Sequence, residues 1–232
     1  MCMNPANKIK GILGNFLYIL MANALDKRNL VVLSLRDAER SKIVNLIRQC
    51  KKEVVMMLGT YEAYQIVMCV KNTSTIEGDI AEVGVYKGGS AFLICKVKGD
   101  KVVHLFDTYE GLPKVEEIDK PFYKGEFAAP LEEVKHALRE CQNVYFYKGL
   151  FPATATSVKD KTFSFVHLDV DIYESTSECL KFFYPRMNRG GMIISHDYFH
   201  VYGVRRAFNE FFKDKPEPII PISGMQCLIV KV

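Results

Sequence analysis

Two periodicities organise this chain. From residue 37 to residue 72 the apolar positions recur at helical spacing. Asp37–Lys52 is expected as a helix with Asp37 at its cap and Ile43, Ile47 and Cys50 on one face, and Tyr61–Lys71 as a second helix. The turn-rich Asn72-Thr73-Ser74-Thr75 ends this region. Beyond it, short apolar runs alternate with amphipathic stretches. The runs 79–85, 102–107, 144–147, 163–169 and 191–195 predict strands. Between them, helices are expected over Ser90–Val97, after Pro130 (stripe Leu131, Val134, Leu138, Cys141), over Ser175–Phe183 and over Val204–Phe212. Pro218–Ile222 and Gln226–Val230, joined by Ser223-Gly224, predict a closing hairpin. Strand-helix alternation of this kind predicts an α/β fold whose parallel sheet is covered on both faces, with ligands at the carboxyl ends of the strands.

The first 24 residues add one complication. Lys8 and Lys10 precede the apolar run Ile12–Met21, and Ala22-Asn23-Ala24 follows, in the manner of a secretory signal. Gly14 and Asn15 interrupt the run, which is too short to span a membrane. The preferred expectation is therefore a surface helix covering a neighbouring element or a partner subunit, which suggests a homodimer. The expected organisation is a helical extension over 1–58 and one domain over 59–232.

Composition narrows the class without choosing a function. In 232 residues, 49 % are hydrophobic and 25 % charged, average for a soluble globular chain and incompatible with wholesale disorder. A net charge of +4, with acids and bases interleaved, gives no stripe for a nucleic-acid backbone. The 7 cysteines are scattered without a C-x-x-C pair, which excludes a disulfide framework and a thiolate zinc site and points to a reducing compartment, the cytoplasm.

Four clusters fall at strand ends. Glu82-Val83-Gly84-Val85-Tyr86-Lys87-Gly88-Gly89-Ser90 places Gly84, Gly88 and Gly89 where a ligand can approach bare peptide. The spacing is G-x-x-x-G-G and not the G-x-G-x-x-G of a dinucleotide site, and the carboxylate of Glu82 suits a cationic group, such as the amino end of a methionine moiety, better than a pyrophosphate. An ordinary glycine-rich turn has the same composition. Asp107, 23 residues after Gly84 in Phe106-Asp107-Thr108-Tyr109-Glu110-Gly111-Leu112-Pro113, stands where an acid accepts ribose hydroxyls in nucleoside-binding sheets; a turn cap is the alternative. His167-Leu168-Asp169-Val170-Asp171 and Ser195-His196-Asp197-Tyr198 end two strands expected to be neighbours. Alternation puts His167, Asp169 and Asp171 on one side if the strand persists. Carboxylates so crowded need a compensating charge, and a divalent cation held by Asp169, His196 and Asp197 is the economical one; helix caps are the alternative.

Taken together, Glu82–Ser90, Phe106–Pro113, the Leu-Asp-x-Asp-x-Tyr-Glu-Ser-Thr run from Leu168 and the pair Asp197-Tyr198 resemble the macrocin O-methyltransferase family, S-adenosylmethionine-dependent enzymes that methylate sugar hydroxyls. The resemblance runs from about Gly59 to the C-terminus. It implies a class I methyltransferase (Rossmann-like) fold: a seven-stranded, mostly parallel sheet with a C-terminal antiparallel hairpin and an N-terminal helical extension. It implies that Glu82, Gly84 and Ser90 line the methionine side of S-adenosyl-L-methionine and that Asp107 holds the ribose. Tyr86, Gly88, Gly89, Thr108 and Asp169 join the cofactor set. It further implies that Asp169 ligates a magnesium-like ion with the pair after the fifth strand, and that Asp171 is the general base. Phe151-Pro152-Ala153-Thr154 resembles a further family turn near the active site.

One departure stands out. Where the antibiotic-tailoring members carry two aspartates, this chain has His196-Asp197. An imidazole suits manganese, iron or zinc better than magnesium, and His196 could instead be a second base or a hydrogen-bonding residue in a metal-free variant. The polar segment Lys114–Ala129 is expected to be either a lid over a small-molecule acceptor, a sugar or glycoside, or a solvated surface loop. Rival readings are a cofactor-binding protein without methyl transfer and, with the wrong glycine spacing, a nicotinamide-dependent oxidoreductase.

Overall fold

A computed structural model of the chain describes residues 37–232 apart from Ser223, together with Leu17, Ile19 and Leu20. The signal-like segment and its Ala24 junction otherwise lie outside the described residues. The chain divides into two compact units, Met1–Lys42 and Ile43–Val232. In the first, Asp37 Oδ1 accepts the N–H of Arg40 at 2.9 Å, the cap that starts helix α1 (Ala38–Glu53).

The second unit holds the sheet. Helix α2 (Thr60–Asn72) precedes β1 (Asp79–Val83), α3 (Gly89–Val97) and β2 (Val103–Asp107). Helix α4 (Leu131–Ala137) leads to β3 (Val144–Lys148), then β4 (Phe163–Leu168), α5 (Tyr173–Phe183) and β5 (Met187–Ser195). Helix α6 (Tyr202–Phe212) and the strands β6 (Ile220–Pro221) and β7 (Cys227–Val230) complete it.

The seven strands run in the order β3-β2-β1-β4-β5-β7-β6. Strands β1 to β5 pair in parallel, while β7 is antiparallel to both β5 and β6. The expected architecture is therefore present. Every residue of β4 is buried, as a central parallel strand with both faces covered requires. On one face Ile80, Leu105, Phe165 and Ile194 pack with Ile66 of α2 and Leu93 of α3. On the other, Val83, Phe106, Leu168 and Ile193 pack with Phe183 of α5 and Phe208 of α6. Order reverses between β1 and β4, so a crevice opens there at the carboxyl ends.

The elements differ from expectation where the backbone loses its pairing. β1 stops at Val83 because Gly84 turns at φ 84°, and β6 is two residues long because Pro218 and Pro221 lack the N–H that a ladder needs. The helix after Pro130 ends at Ala137, although Leu138 stays buried. β5 begins at Met187, four residues before the apolar run, because a register shift lets Met187 pair with Phe163. Cys50, Cys69, Cys179 and Cys227 are buried thiols, and no disulfide occurs among the described residues. Among those residues, no helix is long and apolar enough to cross a membrane.

Candidate active site

A cavity of about 300 Å³ opens at the β1/β4 switch, and all four sequence clusters contribute to its wall. Its first side is the turn between β1 and α3. A Cβ on Gly84 would overlap the carbonyl oxygen of Asp169, and one on Gly89 would come within 2.5 Å of the carbonyl of Val55. Only glycine allows the strand ends and the helix N-terminus to close this tightly around a ligand. Gly84, Tyr86, Gly89 and Ser90 line the cavity.

Gly88 and Glu82 do not. Gly88 is the N-cap of α3 at φ 82°, and its α-carbon faces Val134 and Leu138. Glu82 points into the sheet's underside: fully buried, its Oε1 pairs with His167 Nδ1 at 2.7 Å across β1 and β4. Its expected place beside the methionine amino group is corrected accordingly, because period-two alternation puts it on the face of Ile80, under α2 and α3. Glu82 Oε2 and His167 Nε2 have no hydrogen-bonding partner.

Asp107 lines the cavity, but its carboxylate is also a staple. Oδ2 accepts the N–H groups of Val85 at 2.7 Å and Tyr86 at 2.9 Å, and Oδ1 that of Tyr109 at 2.7 Å. Three of roughly four acceptor positions are thereby engaged, which fixes the glycine turn and leaves about one for a ribose hydroxyl. Thr108 Oγ1 donates to Gly111 at 2.6 Å and accepts from Glu110, shaping the loop that begins the cover. Within that cover Phe122 and Phe127 face the cavity, and Phe127 meets Tyr86 edge-on at 5.9 Å. Buried Asp119 anchors the segment by accepting the N–H of Tyr173 at 2.8 Å. Phe151 of the Phe-Pro-Ala-Thr turn is a further wall.

The acidic side is built from β4 and β5. β4 ends at Leu168, so Asp171 does not arrive by strand alternation; it is carried in by a left-handed turn, φ 61°. Asp169, Asp171, His196 and Asp197 all reach the cavity, while His167 does not. His196 Nδ1 lies 3.0 Å from Asp197 Oδ2 and 3.3 Å from Asp169 Oδ1. On the ring's other edge, Nε2 is 3.5 Å from Glu62 Oε1. Glu62 carries no motif and was not anticipated; its signal is an acid at the N3 position of a helix that follows Gly59.

Charge is shared unevenly among these groups. Burial opposes a charged His196, but the carboxylates of Asp169, Asp197 and Glu62 outweigh it and raise the pKa of the imidazole. His196 in turn holds the Glu62 carboxyl down at about 2 against burial, helped by the backbone N–H groups of Gly59 and Met225. Asp169 is lowered: burial would raise it, but the bond to His196 prevails. Asp171 goes the other way. Burial first, then the charges of Asp169 and Asp197 and a hydrogen bond with Asp197, push its carboxyl well above the usual range.

The donor set fits a divalent cation. One ligand atom from each of Asp169, His196 and Asp197 lies within 4.8 Å of the other two. One nitrogen and two carboxylates favour manganese, iron or zinc over magnesium.

The macrocin O-methyltransferase family profile matches residues 41–228. The chain belongs to this family. A rhamnosyl-tetracenomycin-C 4'-O-methyltransferase of Streptomyces olivaceus is 30 % identical over 162 residues, 61 % of this chain and 62 % of that one. The chain thus spans a little under two thirds of that relative's length. Demethyldecarbamoylnovobiocin O-methyltransferase of Streptomyces niveus is 27 % identical over 194 residues, covering 74 % of this chain and 73 % of the relative. Among solved structures, the O-methyltransferase NovP superposes with a TM-score of 0.70 at 21 % identity, covering 83 % of this chain and 97 % of its own. The calicheamicin methyltransferase CalS11 gives 0.64 at 17 % identity, covering 86 % and 97 %. Those two likenesses show the shared fold.

Proposed function

We propose that this chain transfers a methyl group from S-adenosylmethionine to a hydroxyl of a sugar or glycosylated small molecule, with the activity housed in Ile43–Val232. The observation that carries this reading is the meeting of Asp169, Asp171, His196 and Asp197 with the Gly84–Ser90 turn and Asp107 in one cavity. The name of one relative, an O-methyltransferase of a rhamnosyl-tetracenomycin, supports the acceptor class.

Gly84, Tyr86, Gly89, Ser90, Asp107 and Thr108 would hold the cofactor, and Asp169, His196 and Asp197 a divalent cation. Bound S-adenosylmethionine supplies an electrophilic methyl on sulfur, so this chain's residues have mainly to align the acceptor and remove a proton. A divalent cation held by Asp169, His196 and Asp197, manganese before magnesium, would supply charge that makes a neighbouring hydroxyl more acidic. Asp171 takes the hydroxyl proton at a carboxylate oxygen. A carboxyl pushed upward by burial and by its acidic neighbours is a stronger base than a free aspartate once ionised, and positive charge beside Asp169 and Asp197 would keep it ionised. Phe122 and Phe127 exclude water from the aligned pair.

The test is transfer of labelled methyl to a panel of glycosides by the wild type and by Asp171→Asn. The variant is expected to bind S-adenosylhomocysteine normally and to lose turnover by about 10²-fold or more, the ordinary worth of a positioned base. Loss of cofactor binding in the variant would refute the base assignment. Binding without transfer by the wild type across the whole panel would refute the activity.

A further inference from the structure

Glu62 is fixed more elaborately than a helix cap requires. It is buried, 7 % exposed, on the second residue after the start of α2. Its Oε2 accepts the N–H of Gly59 at 2.8 Å, half of a capping box. Its Oε1 accepts the N–H of Met225 at 3.1 Å, from the turn before β7, 163 residues further along the chain. That turn is moulded to it, since a Cβ on Gly224 would lie 2.7 Å from Glu62 Oε1. Two amides from distant segments thus set the carboxylate, and the oxygen they direct is the one beside His196 Nε2. Nε2 is buried and has no hydrogen-bonding partner, with Glu62 Oε1 at 3.5 Å.

Both edges of the ring face carboxylates, Nδ1 those of Asp169 and Asp197 and Nε2 that of Glu62. A cation between Asp169 and Asp197 would take the place of a proton at Nδ1, and the carboxylate behind Nε2 leaves that nitrogen as the one that carries hydrogen. We propose that Glu62 is a positioning residue: it holds the proton of His196 at Nε2, so that Nδ1 faces Asp169 and Asp197 as a nitrogen ligand and the site selects manganese-like cations over magnesium. Carboxylates behind metal-binding histidines act in this way, orienting the ring and raising its basicity. Glu62 itself is not among the residues that line the cavity. The inference rests on the cation reading given above.

The test is Mn²⁺ and Mg²⁺ binding by the full-length apo protein, followed by calorimetry and by the paramagnetic resonance of free Mn²⁺, without substrate or turnover. The proteins are wild type, Glu62→Gln, His196→Asp and the double variant. Glu62→Gln is expected to lower Mn²⁺ affinity about 10- to 100-fold, the usual range for an outer carboxylate. His196→Asp, an all-oxygen donor set, is expected to shift preference toward Mg²⁺, and Glu62→Gln added to it should change Mn²⁺ affinity less than about twofold. An equal loss in both backgrounds would overturn the proposal, since Glu62 would then be acting on the fold alone. So would a Glu62→Gln protein that binds Mn²⁺ like the wild type. If Glu62→Gln melts out, His196→Asp decides by itself: an unchanged Mn²⁺/Mg²⁺ preference overturns the proposal. A wild type that binds neither ion overturns the cation reading as well, an outcome distinct from the others.

Discussion

Gly84→Ala probes the closest approach in the site. The substitution meets two separate costs. At φ 84° an alanine sits in the left-handed region, about 1–2 kcal/mol. Its Cβ would also overlap the carbonyl oxygen of Asp169, a backbone atom that cannot rotate away. Overpacking of this kind costs about 1–3 kcal/mol and must move the β4 end. Together about 4 kcal/mol is expected, which for a chain of this size lowers the melting temperature by about 8–16 °C. Gly99→Ala is the control: φ is 62° and nothing lies within 4 Å of the added carbon, so only the conformational cost applies. Differential scanning calorimetry reads both variants, and calorimetric titration with S-adenosylhomocysteine reads the site. Gly84→Ala should bind at least about tenfold more weakly, since displacing Asp169 disturbs the wall, whereas Gly99→Ala should bind normally. If the two variants melt within about 2 °C of each other, the strand tips are not packed as described and the reasoning fails.

Three further outcomes are expected. Glu217 is opposed by burial but held by Lys231 at 2.6 Å and Tyr184 at 2.7 Å, which bring its carboxyl down to about 2. Its folded pKa is depressed, so its stabilisation is complete above the ordinary carboxylate range and is lost as pH falls through about 2; Glu217→Gln should remove that part of the acid-melting curve, measured by circular dichroism. Limited proteolysis of residues 114–129 should slow when S-adenosylhomocysteine is bound, because Phe122 and Phe127 face the cavity; unchanged cleavage would make the segment a surface loop. Phe183→Ala, which removes a fully buried ring stacked on Phe151 at 5.3 Å, should cost about 3–5 kcal/mol by chemical denaturation.

What the sequence made legible was whatever depends on neighbours along the chain. Strand runs, the glycine turn and acids at strand ends are local patterns, and so Gly84, Asp107, Asp169, Asp171, His196 and Asp197 could be placed around one cavity before any coordinates. Pairings across the sheet are not local. That Glu82 meets His167 depends on β1 lying beside β4 in register, which no run of either strand encodes. Asp107 as a staple depends on which amides the glycine turn directs at it. The reach of Asp171 was expected from a pleat that in fact stops at Leu168, and a left-handed residue does the work instead. Glu62 was invisible for the same reason: α2 shows an ordinary amphipathic pattern, and only the folded chain brings the Met225 amide and the His196 ring to its carboxylate.

The amide of Met225 has an implication for how the protein is made. A ribosome makes α2 well before the turn that precedes β7, since 163 residues separate Glu62 from Met225. Until that turn emerges and β7 docks on β5, the Glu62 carboxylate lacks one of the two amides that aim it. The setting of Glu62 beside His196 is therefore completed late in folding, and a nascent chain carrying every strand-tip motif would still hold that carboxylate by one amide alone.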